Sequence, residues 1–156
     1  MNSRALIILT ALGTLALAAC SGSGGSTFVN PTPGPTCGPV GITSQLVYPA
    51  PGATAVPDAT AQIVVAVSSP LPINTYNLAL IAVSNGSSAQ TANYLSQIAA
   101  SQLPAGSAST TIVNPTYEAV NLIATLPAAT QIQVALNIPN STCTPLNVPG
   151  ATFTTQ

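Results

Sequence analysis

The chain has no histidine and no tryptophan, and a single basic side chain, Arg4, stands against two acidic ones, Asp58 and Glu118. Each gap closes a class of function. Phosphate recognition rests on Lys and Arg, so the composition leaves no nucleic-acid partner. Docking of a basic segment onto anionic lipid fails for the same reason. General-base and oxyanion chemistry would have only backbone groups and hydroxyls to draw on, and no Ser has a visible activating partner. A metal ion would find no imidazole and too few thiolates. No cofactor and no catalytic residue are expected. What remains is a chain that is 47% apolar, with polarity supplied by Ser, Thr, Asn and Gln and frequent punctuation by 15 Pro and 11 Gly. Disorder goes with low hydrophobicity and high net charge; this chain, with a formal net charge of -1, has the opposite balance and should fold.

Arg4 precedes an apolar run over residues 5–19, shorter than the roughly 20 residues of a membrane-spanning helix. Charge, apolar run and small residues make the layout of a secretory signal. The run ends in Leu17-Ala18-Ala19-Cys20, which resembles the lipobox of bacterial lipoproteins. The resemblance implies cleavage after Ala19 and lipidation of Cys20. Two or more acyl chains hold a protein stably on a membrane without any spanning helix. An uncleaved helical anchor is the alternative, but it has no use for a small-small-Cys ending or for the Gly/Ser run that follows. In diderm members of that family an Asp after the lipid cysteine retains the protein at the inner membrane; Ser21 stands here, which points to the outer membrane, and in any case to the extracytoplasmic envelope.

Beyond Cys20 the chain is expected to divide into a tether, residues 20–40, and one domain, residues 41–156. Residues 21–26 form a Gly/Ser coil spanning roughly 13 Å. Asn30-Pro31-Thr32-Pro33-Gly34-Pro35 favours an extended spacer at roughly 3 Å per residue.

The domain reads as all-β, with about seven short strands separated by Pro, Gly and Asn. Strands are expected over residues 44–48, 61–68, 76–83, 110–114, 117–126, 131–138 and 151–155. The clearest alternation sets Ile132, Val134, Leu136 and Ile138 against Gln131, Gln133 and Asn137, the period of two that one buried face requires. Residues 76–83 are apolar on both faces, as in a central or covered strand. Residues 84–108 are too long for a plain loop. Ala92, Leu95, Ile98, Ala99 and Leu103 fall at helical spacing, so a short helix around residues 90–103 is one reading and an irregular insertion with one edge strand the other.

Seven strands at this spacing favour a two-sheet sandwich. Tyr48-Pro49-Ala50-Pro51-Gly52-Ala53-Thr54-Ala55-Val56-Pro57, then Ser69-Pro70, Leu126-Pro127-Ala128-Ala129-Thr130 and Gly150-Ala151-Thr152-Phe153-Thr154-Thr155 resemble the bacterial Ig-like domain of surface-layer-protein type. The likeness covers roughly residues 46–155. It implies an Ig-like sandwich outside the cytoplasm, used for display, spacing or adhesion.

With Cys20 committed to lipid, Cys37 and Cys143 form an even pair in an oxidising compartment. In an Ig-type sandwich the chain enters at the end that carries the loop of Cys143, so a bridge is expected there. It would close a loop of about a hundred residues, credited with up to about 4–5 kcal/mol by chain entropy. Two free thiols are the alternative. Asp58, in a turn, and Glu118, near a strand start, are read as lone surface carboxylates rather than a glycosidase pair. Asn85-Gly86-Ser87 and Asn140-Ser141-Thr142 match the glycosylation triplet, as chance allows in a chain this rich in Asn, Ser and Thr. The composition and the two resemblances together suggest a membrane-anchored, non-catalytic envelope protein with an envelope protein or glycan as partner. A small module binding a glycan or an apolar ligand is the second reading; only four Tyr and two Phe are available as sugar-stacking faces.

Overall fold

Gln62-Ile63-Val64-Val65-Ala66-Val67 is rich in β-branched side chains, which fit a pleated, buried surface, and it forms the strand around which one sheet assembles. The structure, a computed structural model, describes residues 38–91 and 93–156. The signal segment, Cys20, Cys37 and most of the tether lie outside the described residues. Eight strands follow in chain order: β1 (Ser44–Tyr48), β2 (Gln62–Val67), β3 (Asn77–Ala82), β4 (Ser88–Gln90), β5 (Ser96–Ile98), β6 (Thr116–Asn121), β7 (Gln131–Asn137) and β8 (Leu146–Thr154). They make two four-stranded antiparallel sheets, β1-β2-β6-β5 and β4-β3-β7-β8. Lettered in chain order with the fourth strand as C′, this is A-B-E-D facing C′-C-F-G, the immunoglobulin arrangement with one added edge strand. All eight strands and the core between them lie in the compact unit Pro33–Gln156.

Alternation decides which side chains meet between the sheets. Leu46, Ile63, Val65, Val67 and Val120 come from the first sheet, Leu78, Leu80, Ile132, Val134, Leu136, Val148 and Phe153 from the second, and Leu95 joins them from just before β5. Burying one such side chain is worth about 1.5–3 kcal/mol, so this interior is the main source of stability. The outer face of the first sheet is also apolar. Val47, Val64, Ala66 and Ala119 form a second cluster there, with Tyr48, Ile98, Leu103, Ile112 and Tyr117 packed against it.

Three expectations need correction. Among the described residues of 90–103 no helix forms beyond one 3-10 turn at Ala100–Gln102. The long insertion instead supplies two edge strands, β4 to one sheet and β5 to the other, because it must cross between sheets. Leu95 serves the core while Ile98 and Leu103 serve the outer cluster, so residues at helical spacing face different surroundings. Residues 110–114 do not form a strand. The Gln45 side-chain oxygen accepts from the Thr110 hydroxyl (2.9 Å) and the Thr111 N–H (3.1 Å), and Asn114 turns the chain with φ 50°. Such side-chain bonds offer the backbone an alternative to a ladder. Finally, β6 stops at Asn121 instead of running on to Leu126, while β8 starts earlier than expected, at Leu146. Pro149 and Gly150 sit inside β8, where the pairing with β7 shifts register. A bulge is where a strand tolerates proline, and Gly150 has φ 65°, a left-handed conformation that glycine adopts freely.

The register gives the sandwich two distinct ends. At one end Ser44, Val67 and Thr116 align, as do Asn77 and Asn137. Gly38 arrives there against Leu146, and a Cβ at Gly38 would collide with that leucine. At the other end the segment after β1 crosses to the second sheet and runs parallel to β8, bridging Val56 to Thr155. Gly52 N–H donates to the Thr152 carbonyl (2.6 Å), Thr154 N–H to Ala53 (2.8 Å) and Val56 N–H to Thr154 (2.9 Å). The Pro-Gly turn at residues 51–52 therefore serves to change sheets and cover the free edge of β8, a strand edge that would otherwise be open to pairing with another chain.

Candidate functional site

The residues marked out in the sequence are scattered over this frame. Asp58 lies exposed in the turn of residues 57–60, its carbonyl accepting from the Leu126 N–H (2.9 Å). Glu118 is not a surface carboxylate. It sits within β6 opposite Val65 of β2 and Gln97 of β5, and because cross-strand partners share a face, it points between the sheets. It is 3% exposed. Burial pushes its carboxyl above the usual carboxylate range, and a hydrogen bond from the Leu71 N–H pulls the other way. Neither carboxylate lines either of the two clefts described below. Among the described residues no group of three His, Cys, Asp or Glu side chains could hold a metal ion, and no helix is long and apolar enough to cross a membrane.

Cys143 is half-buried in the loop between β7 and β8, with its Sγ 2.6 Å from Ser141 Oγ; it has further interactions and is not free. Cys20 and Cys37 lie outside the described residues. Both glycosylation triplets fall in turns. Asn85 Oδ1 accepts from the N–H and hydroxyl of Ser87 at 2.9 and 2.7 Å, closing the turn between β3 and β4, and Asn140 has φ 59°. Tyr48 and Tyr117 are half-buried in the outer cluster of the first sheet, Tyr76 is in the core, and Tyr94 is exposed. None of the four lines either of the two clefts described below.

The sequence motifs at residues 126–130 and 150–155 meet at the end of the sandwich away from Gly38. Thr155 Oγ1 donates to the Pro127 carbonyl (2.6 Å) and accepts from the Thr130 N–H (2.9 Å), while Ala129 N–H donates to the Gln156 carbonyl (2.7 Å). These motifs therefore lock a corner of the fold and carry no exposed reactive group.

The feature that sequence reasoning missed lies beside that corner. Past Leu122, whose N–H still bonds to the Ala61 carbonyl (2.8 Å), Ile123, Ala124, Thr125 and Leu126 peel away from the first sheet, and residues 122–126 leave a cleft of about 360 Å³ against Leu80, Ala82, Ala89 and Ile132 of the second. Its lining is aliphatic, with hydroxyls from Ser87, Ser88, Thr91 and Thr125. Ile123 on its rim is 75% exposed. The signal was present as an apolar run with a large side chain on both faces, read as one long strand. A second depression, larger at about 740 Å³ but more open and more polar, lies between β1, residues 111–113 and the bulge of β8.

No family model, curated protein or solved structure matches the chain.

Proposed function

We propose that the protein is a lipid-anchored component of a bacterial envelope whose Ig-like domain works without catalysis, in display, spacing or adhesion. The observation that carries this reading is Leu17-Ala18-Ala19-Cys20 at the end of a short apolar run behind Arg4, followed directly by a Gly/Ser and Pro-rich tether. The fold is compatible with it in one specific way. The chain reaches the domain at one end, against Leu146, while the corner built by Thr155 and the aliphatic cleft lie at the other, the end a surface-anchored domain would turn outward. Cell envelopes are extracytoplasmic, which also suits a proposed bridge between Cys37 and Cys143.

The test is metabolic labelling with an alkyne fatty acid in bacteria expressing the full chain. The wild type should take up label and fractionate with membranes at the mass of a chain cleaved before Cys20. Cys20→Ala should lose both label and normal processing. A Cys20→Ala chain that is cleaved, labelled and membrane-held like the parent would refute the anchor.

A further inference from the structure

We propose that the cleft beside residues 122–126 is a binding site for a small, uncharged aliphatic molecule. It does not rest on the lipid anchor, because every residue of the cleft lies in the compact unit that contains both sheets.

The cleft exists because an apolar segment declines to continue a strand. β6 ends at Asn121; Leu122 still donates its N–H to the Ala61 carbonyl (2.8 Å), and the next four residues leave the sheet although three of them are apolar and one, Ile123, is left 75% exposed. An exposed large aliphatic side chain on the rim of an apolar hollow is surface that gains by being covered. The opposite wall, Leu80, Ala82 and Ile132, belongs to the central strands β3 and β7, so the hollow has a rigid floor. Its volume of about 360 Å³ lies at the small end of the roughly 300–1,000 Å³ typical of ligand sites, which likewise pair an apolar lining with a few placed polar groups. The polar groups here are hydroxyls; those of Ser87 and Thr91 donate within the fold, to Asn85 Oδ1 and the Asn93 carbonyl, so Ser88 and Thr125 are the ones placed to donate to an occupant.

The lining selects the chemistry of the occupant. No ionisable side chain lines the cleft. An acid entering it would bury a charge without a partner, which is costly. The lining also offers no aromatic ring for a sugar face. Aliphatic walls with Ser and Thr hydroxyls fit an alkyl or isoprenoid group ending in a hydroxyl or carbonyl.

The experiment uses residues 33–156, isotope-labelled on methyl groups, titrated separately with 1-decanol, decanoate and maltotriose. Decanol should shift the methyls of Leu80, Leu122, Ile123 and Ile132 saturably, decanoate should bind at least ten-fold more weakly, and maltotriose should leave them in place. Ala124→Trp, at an exposed position in the lining, should fill the cleft and weaken decanol at least ten-fold; if that variant does not fold, Ile123→Ser should weaken it several-fold. The proposal fails if decanol gives no saturable shift, if the shifts centre elsewhere, if decanoate or maltotriose binds as well as decanol, or if the folded variant binds like the parent. Because the fragment lacks Cys20, failure here leaves the anchor proposal untouched, and an unlipidated chain would leave this site standing.

Discussion

The backbone N–H of Leu71 donates to Glu118 Oε1 across 3.4 Å, and both residues are buried, 8% and 3% exposed. A carboxylate is thus held at the edge of an apolar interior by one long hydrogen bond. Leu71 belongs to the loop between β2 and β3 and is itself part of the core, so the same residue that covers the carboxyl also closes the near end of the sandwich. In an apolar setting the neutral acid is favoured over the ion.

The sign of the pH dependence follows. Burial raises the folded pKa of Glu118 above its unfolded value, so the native state holds the proton more tightly. Stability is then fully present below the unfolded pKa and is lost as pH rises through the folded value. Thermal melting of residues 33–156 should give a higher Tm near pH 3.5 than at pH 7. Glu118→Gln should raise the Tm at pH 7 and flatten the profile. For a domain of this size about 1 kcal/mol corresponds to roughly 4 °C, so the difference is measurable. A parent that melts several degrees higher at neutral pH would show that Glu118 is stabilised as the ion.

Phe153 is 1% exposed and faces Ile132 across the β7–β8 ladder. Truncation to Ala should cost about 3–5 kcal/mol and lower the Tm by more than 10 °C, on the same conversion. Ile123→Ala, on the exposed rim of the cleft, should stay within about 0.5 kcal/mol of the parent. Denaturant unfolding of the two variants side by side checks both, and equal losses would contradict the assignment of Phe153 to the core.

Gly38 packs on Leu146, which brings the residue after Cys37 against the strand that begins three residues after Cys143. That contact favours the proposed bridge. Non-reducing peptide mapping of the periplasmic or secreted chain should recover the Cys37 and Cys143 peptides as one species, and reduction should lower the Tm. Alkylation of both cysteines in native protein would exclude the bond.

The strands with one strict apolar face were readable in advance. β7 begins at the expected residue and ends one residue short of it, because Ile132, Val134 and Leu136 leave no other register that buries them. β1, β2 and β3 agree to within a residue or so for the same reason. Three things were not legible, each because a distant group decided it. Residues 110–114 have strand-like side chains but are claimed by Gln45, far earlier in the chain. Leu95, Ile98 and Leu103 fall at helical spacing but serve two separate clusters. Glu118 looks like any lone carboxylate until its ladder partner, Val65, shows which way it points. The cleft was hidden by the opposite error, since Leu122, Ala124 and Leu126 alternate as a strand would while the sheet they should join has already ended.

The parallel pairing of residues 52–56 with the end of β8 has a mechanical consequence. The chain enters the domain at one end, and Gln156 is held at the other, its N–H bonded to the Val56 carbonyl (2.9 Å). With the proposed anchor at Cys20, a pull between it and anything gripping the C-terminal strand would slide these two parallel segments along each other. Their hydrogen bonds would then share the load and rupture together, whereas an antiparallel hairpin pulled from its open end unzips one bond at a time.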